Sequence, residues 1–509
     1  MKNIKPFFSA PQRRAERLKK KISSGFFMVA FIGICLSSCT DDFEKINENP
    51  NRPESINSDY LMSNVIVSTA YYYQTQAFSG RPAIAGRYMT LVRTTGYDLF
   101  NWGPVGWYDA YSFLMVNKTL AAQAEKLGEV QYLAVSKIMK AFNYSYASDL
   151  YGDLPYTDAL QSKESNLTHP KYDLQKDIYP DLLRELREAN DLLASTDKVI
   201  LASADMMYGG KALLWRKLAN SLRLRMLLRI SKNYPAAFTE MQGIVKDKSK
   251  YPVFESNADN AEIRYLGDIA ANSWPGGALA MIDYDFVKTK ASKEVVDHLL
   301  ARNDPRVSVW YTPVKTTVGS TVDKNEYVGV PNAIDEPASY NGGEDHISQL
   351  GAIFRKNSDN MLKASLVTYS EVCFILAEAL QSGKITVPGE TAESFYNKGI
   401  ESSMDYYGVK AEAVKRDYYN HVLVKYDGTL EQLITQKWLS MFFKTSEGWF
   451  DHRRTGFPKF RTGPLVVNKL IPKRYRYPDS ESATNNENYK KAVSIFGTDD
   501  EYTLMWYLK

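Results

Sequence analysis

The chain has 509 residues and carries 63 Lys+Arg against 59 Asp+Glu, a formal charge of +4. Eight of the bases and a single acid, Glu16, precede Cys39, which leaves 55 bases against 58 acids beyond it, near −3. The basic character therefore belongs to the leader, and no broad basic surface remains for nucleic acid or anionic lipid.

The leader runs from a charged stretch (Met1–Lys21) into an apolar run, Phe26–Leu36, and ends in Leu36-Ser37-Ser38-Cys39. Charge, apolar run and small residues in that order form a signal peptide, and the last four residues have the shape of a lipobox. The apolar run is about half the length a spanning helix needs, and nothing further along is long and apolar enough to span. Cleavage before Cys39 makes it the new N-terminus and the site of acylation, palmitate included. Several acyl chains hold a protein on a membrane almost permanently without crossing it. The basic leader is longer than a signal needs, which points to a translation start further in. The expected division is a signal peptide over 1–38, a lipidated tether over 39–56 and one binding domain over 57–509.

Residues Thr40–Ile56 are polar and hold Asn47, Asn49, Pro50, Asn51 and Pro53, the composition of an extended tether. Helical periodicity dominates after it. Ile178, Leu182, Leu186, Ala189 and Leu193 mark one stripe. Leu214, Trp215, Leu218, Ala219, Leu222 and Met226 mark a second, with Arg216, Arg223 and Arg229 off it. Tyr369–Leu380, Ala392–Ser403 and Leu430–Phe442 carry three more. Two of these flank a turn, Ser382–Gly389, so that helix, turn and helix span roughly 40 residues, the unit length of tetratricopeptide-like hairpins. The expected fold is mainly α, with stacked hairpins as scaffold. Long stretches rich in Gly, Pro, Asn and aromatics separate the helices: Ser79–Val105, Tyr251–Ser292, Asp304–Lys363 and Gly448 to the end. Such loops are commonly functional.

Catalytic motifs are mostly missing, and a carboxylate pair for glycoside hydrolysis stays open because its geometry is set in space, not in sequence. The five histidines show no metal-ligand spacing, and neither a nucleophile elbow nor a phosphate loop occurs. No cofactor is expected and no metal-ligating residue is named, while a bound metal stays open because carboxylate loops cannot be counted as calcium sites without geometry. Glu344-Asp345-His346 follows Asn341-Gly342-Gly343 and reads as a solvated turn. Cys373, the cysteine left after Cys35 is removed and Cys39 is lipidated, sits on an apolar stripe as a small hydrophobe. Glu447–Gly456 packs charge and aromatics so densely that it reads as a buried ion-paired knot. The 35 tyrosines and eight tryptophans suit a wet surface that grips ligands. Tyr97, Trp102, Trp107, Trp274 and Tyr284 are the candidate ligand-binding residues, with Phe100 beside them and Asp98, Asn101 and Asn272 as orienting polar neighbours.

Taken in chain order, Asp42–Asn47 with Asn49–Asn51, Asp149–Ala159, Pro170–Asp173 with Gln175, Ile178 and Tyr179, Trp215–Arg225, Asn303–Arg306, Ala377–Ala379, and Trp449 with Arg453–Gly456 resemble the SusD/RagB family of Bacteroidetes outer-membrane lipoproteins. Asp41, Asp42 and Glu44 also resemble the acidic export signal that sends such lipoproteins to the cell exterior. The resemblance implies a nutrient-binding, non-enzymatic protein that captures an oligosaccharide or a peptide. It also implies a partner: a SusC-like TonB-dependent outer-membrane barrel on which the protein sits as a hinged lid. The matching motifs look like scaffold, so no binding residue is carried over from the family. Glycan and peptide stay open, with a slight lean to glycan. A surface hydrolase on a helical scaffold and a helical-repeat adaptor stay open as well.

Overall fold

The apolar stripes do form helices, and they end where capping residues stand. In this computed structural model the described residues are 56–93, 96–107, 110–314, 326–409 and 411–509. The signal peptide, Cys39 and the tether up to residue 55 lie outside them. We number the main helices α1 Ser58–Ser79, α2 Ala110–Leu127, α3 Val130–Tyr151, α4 Gln175–Ser195, α5 Ala212–Ile230, α6 Ala237–Lys246, α7 Tyr369–Gln381, α8 Ala392–Tyr406, α9 Leu430–Ser440 and α10 Glu447–Thr455. Thr368 caps α7 by accepting from Glu371 N–H, and Thr391 and Ser394 close a reciprocal capping box on α8. The α7–α8 hairpin forms as the stripes and the turn between them require, and α2, α3, α4 and α5 pack in succession. Among the described residues no helix is long and apolar enough to cross a membrane.

Helix α5 departs from a one-sided stripe. It is packed by α3, α4, α6 and α7, so Arg223, Arg225 and Arg229 are buried and only Arg216 keeps partial access to water. A buried guanidinium group is costly unless it is paired. Arg225 makes a two-pronged contact with Glu371 at 2.5 Å for each bond and donates to Leu366 O at 2.7 Å. Arg229 bonds both Asp149 and Glu447. Burial pushes the Asp149 carboxyl up to about 6, with Arg229 pulling the other way.

Glu447–Gly456 is the buried knot its composition foretold, folded as α10. Lys437 pairs with Asp451 at 2.7 Å, and Arg454 joins Glu378 and Asp451. Arg453 lies 4.2 Å from the Trp449 ring and donates to Asp149 O at 2.7 Å. Gly456, at φ +80°, closes the helix by donating to His452 O. Cys373 is fully buried and unbonded to sulfur, as its stripe requires. The stretch from Gly448 to the end is less irregular than expected. Beyond α10 it holds two further helices, Asp479–Thr484 and Asn486–Phe496, and the second buries only Ala492 and Phe496, too few for a stripe to show.

The strands come in antiparallel pairs: β1 Met89–Leu91 with β5 Thr289–Ala291, β2 Leu154–Pro155 with β3 Tyr172–Asp173, and β4 Ala261–Arg264 with β6 Lys363–Val367. They act as clamps. The segment from Tyr265 to Lys288 is held at one end by β4 and at the other by β5, and all of this belongs to one compact unit, Asn57–Lys509.

Candidate ligand-binding face

Two of the nominated tryptophans are built into the core. Trp102 is 6% exposed, edge-on to Phe100, Trp449 and Tyr475 at centroid distances of 5.6 to 5.8 Å. Its indole N–H donates to Tyr97 O at 3.1 Å. Trp274 is 2% exposed, with Phe78 at 5.1 Å, Tyr265 at 5.9 Å and Phe354 at 6.1 Å. This corrects the reading of both as open stacking platforms. An irregular loop hides its packing partners, which here lie far away in sequence. Asp98 is also internal: it accepts from Leu91 N–H at 3.1 Å and from the Asn332 amide at 2.9 Å, and burial pushes its carboxyl up to about 6. It fixes the turn that carries Tyr97.

Tyr97 is 41% exposed, with the Arg81 guanidinium 5.1 Å from its ring centre; Arg81 also reaches the buried rings of Trp102 and Tyr475. Tyr284 is 53% exposed, with Arg93 at 5.0 Å and Lys288 at 5.8 Å. Arg93 is oriented by Glu344, whose other oxygen faces Lys290 at 3.4 Å. The Glu344-Asp345-His346 turn thus spends its first carboxylate on ion pairing.

Between β4 and Tyr284 the loop presents four aliphatic side chains to water, Leu266, Ile269, Leu279 and Ile282, each 48% to 66% exposed. Their exposure is imposed by a fastened backbone. Arg355 donates to Gly276 O at 3.0 Å and Met281 O at 2.8 Å and pairs with Asp283. Asn357 accepts from Trp274 N–H at 2.7 Å and, through its side chain, from Leu279 N–H at 3.0 Å. Gly276 and Gly277 let the two segments touch: a Cβ at Gly276 would lie 2.7 Å from Phe354 O, and one at Gly277 would lie 2.8 Å from Asn357 Cα. Behind the loop, Tyr265 stacks on Tyr71 at 4.5 Å. The sequence reading missed Arg93, Arg355 and these aliphatics, because apolar residues in a loop carry no period that tells inward from outward.

Trp107 lies elsewhere on the scaffold. It is half-buried among Tyr111, Tyr151, Tyr172 and Tyr477 and borders a cavity of about 410 Å³ that Met115, Pro155 and Leu167 also line. Its indole N–H donates to one oxygen of Glu481 at 2.8 Å, and the Tyr172 hydroxyl donates to the other at 2.9 Å. Among the described residues no cluster of three or more His, Cys, Asp or Glu side chains is placed to hold a metal.

The helical scaffold thus fastens an outward-facing loop surface. Residues 50–478 match the SusD-like family model described as starch-binding, associating with outer membrane, and the chain belongs to that family. Solved structures agree on the fold. A SusD homologue from Bacteroides fragilis NCTC 9343 aligns with a TM-score of 0.77 at 25% identity, covering 89% of this chain and 100% of its own. A chitin-binding SusD homologue from Flavobacterium johnsoniae aligns with a TM-score of 0.73 at 24% identity, covering 89% of this chain and 99% of that one. A SusD homologue from Bacteroides uniformis ATCC 8492 gives 0.74 at 24%, covering 89% and 100%. No curated protein matches. Among the described residues of the family motifs, Asp149, Trp215, Arg306 and Trp449 are buried.

Proposed function

We propose that this protein is a non-catalytic nutrient receptor of the outer membrane, lipid-anchored through Cys39 and facing the cell exterior. It captures an oligosaccharide or peptide and passes it to a SusC-like TonB-dependent barrel, on which it acts as a hinged lid. The observation that carries this reading is the fastened loop surface with Tyr284 and four exposed aliphatics on an ion-paired helical frame, with Tyr97 exposed on a separate loop. A ligand that touches both lid and barrel stabilises the closed state by its extra contacts there, so capture and closure are linked. Family membership supports the outer-membrane setting and the binding role.

Three measurements test it. Cys39→Ala moves the protein out of the membrane fraction; retention there rejects the anchor. Affinity purification of the wild type from detergent-solubilised membranes recovers a TonB-dependent barrel; recovery of none rejects the lid. Incubation with a bound ligand returns it unchanged; cleavage products reject the receptor reading in favour of a surface hydrolase.

A further inference from the structure

We propose that the cavity beside Trp107 binds a small organic cation, an ammonium group carried on an apolar body. The proposal goes beyond the nutrient-receptor reading and does not depend on it.

The cavity measures about 410 Å³, within the range of small-molecule sites. Trp107, Tyr111, Met115, Pro155 and Leu167 wall it, and Glu481 is the one charged residue among the described residues that line it. A carboxylate set among apolar and aromatic groups calls for a cation. Glu481 is met by neutral donors instead. The Trp107 indole N–H reaches Oε1 at 2.8 Å, and the Tyr172 hydroxyl and the Asn485 amide reach Oε2 at 2.9 and 3.1 Å. These bonds fix the carboxylate in place and leave its charge uncancelled. Among the described residues no lysine, arginine or histidine forms an ion pair with it. Lys118, which reaches the Leu160 carbonyl on the cavity wall, is paired with Glu164 at 3.1 Å. A carboxylate offers about four acceptor positions, so Oε1, holding only Trp107, has room for one more donor.

The rings supply the second half of the site. Tryptophan and tyrosine faces attract a cation within about 6 Å of the ring centre. Tyr97 and Tyr284 already hold an arginine each. The ring contacts of Trp107 and Tyr111 are with each other and with Tyr144, Tyr151, Tyr172 and Tyr477. An ammonium group at Glu481 and Trp107 gains both a counter-charge and a ring, while its apolar body covers Met115, Pro155 and Leu167. A neutral ligand leaves the carboxylate unmatched, and an anion is repelled by it.

The experiment is isothermal titration at pH 7 of the full chain, purified in non-ionic detergent, with 2-phenylethylamine, 2-phenylethanol and phenylacetate. These probes share a ring and differ in charge. The amine should bind about tenfold or more tighter than the alcohol, and phenylacetate should not bind. Glu481→Gln keeps an acceptor for Trp107 and removes the charge; it should weaken the amine by about tenfold or more and leave the alcohol unchanged. Met115→Lys, at a position 38% exposed, places the chain's own ammonium in the cavity and should abolish amine binding. Thermal melts verify that both variants fold, and Met115→Lys alone decides the matter if Glu481→Gln does not. Absence of amine binding to wild type overturns the site. Equal affinity for amine and alcohol overturns the choice of a cation. Amine binding unchanged in Met115→Lys overturns the location, and amine binding unchanged in a folded Glu481→Gln overturns the role of the carboxylate.

Discussion

The surroundings of helix α5 and the loop between β4 and β5 solve opposite problems. Around α5, charged groups are taken out of water and paired, so that Arg225 meets Glu371 and Arg229 meets Asp149 and Glu447. In the loop, apolar groups are kept in water by fastened backbone, with Ile282 66% exposed. Each arrangement works against the ordinary distribution of polar and apolar residues. The first costs desolvation, which the pairing offsets and which fixes how the helices dock. The second leaves surface unburied, a cost that a ligand docking there would remove. In the reading proposed above, stability and recognition are kept apart: the residues that hold the molecule together are not the residues offered to a ligand.

Substitutions can break or sharpen that separation. The largest effect is expected for Arg229→Met, which removes the guanidinium that bonds both buried carboxylates, Asp149 and Glu447, and leaves Glu447 only the more distant Arg225 at 3.8 Å. It should lower unfolding free energy by roughly 3–5 kcal/mol in denaturant titration. Trp274→Ala should cost a similar or slightly smaller amount, about 3–4 kcal/mol, because it empties a packed site between Phe78 and Phe354. If that variant instead kept its melting temperature and lost ligand affinity, Trp274 would belong to the recognising side and the separation would fail.

Lys444 sharpens the comparison through pH. Its amine lies 3.5 Å from the Tyr406 ring and 4.7 Å from the Tyr407 ring, and burial lowers its pKa to about 7, with Glu262 opposing. A depressed folded-state value means that its contribution to stability is fully present above the unfolded value of about 10.4 and is lost as pH falls through 7. The stability of wild type relative to Lys444→Met should therefore rise between pH 7 and pH 10, by at most roughly 1.4 kcal/mol per unit. Parallel pH profiles for the two proteins would show that the amine is not desolvated. The smallest effect is expected in the loop. Ile282→Ser should change stability by no more than about 0.5 kcal/mol in the same titration, since it removes no packing. A larger loss would mean that the side chain holds the fold.

How much of this could be read beforehand follows the same division. The stripes of α4, α5, α7, α8 and α9 were legible because a helix repeats its burial every few residues. The knot at Glu447–Gly456 was legible because so many charges beside Trp449 and Phe450 leave ion pairing as the main way to bury them. Burial of Arg223 and Arg229 was not legible, since it depends on how many neighbours surround α5. The candidate surface was half legible. Composition located the loops and named Tyr97 and Tyr284, but it grouped them with Trp102 and Trp274, whose ring partners Trp449, Tyr475, Phe78 and Phe354 sit tens to hundreds of residues away. Sequence shows that a loop is rich in aromatics; only packing shows which of them face inward.

Arg355 grips the loop by the carbonyls of Gly276 and Met281, and the Asn357 side chain holds it by the amide of Leu279. These are groups that nearly every residue type supplies. The outward side chains can therefore be exchanged while the clasp stays shut, so one frame can carry many different surfaces.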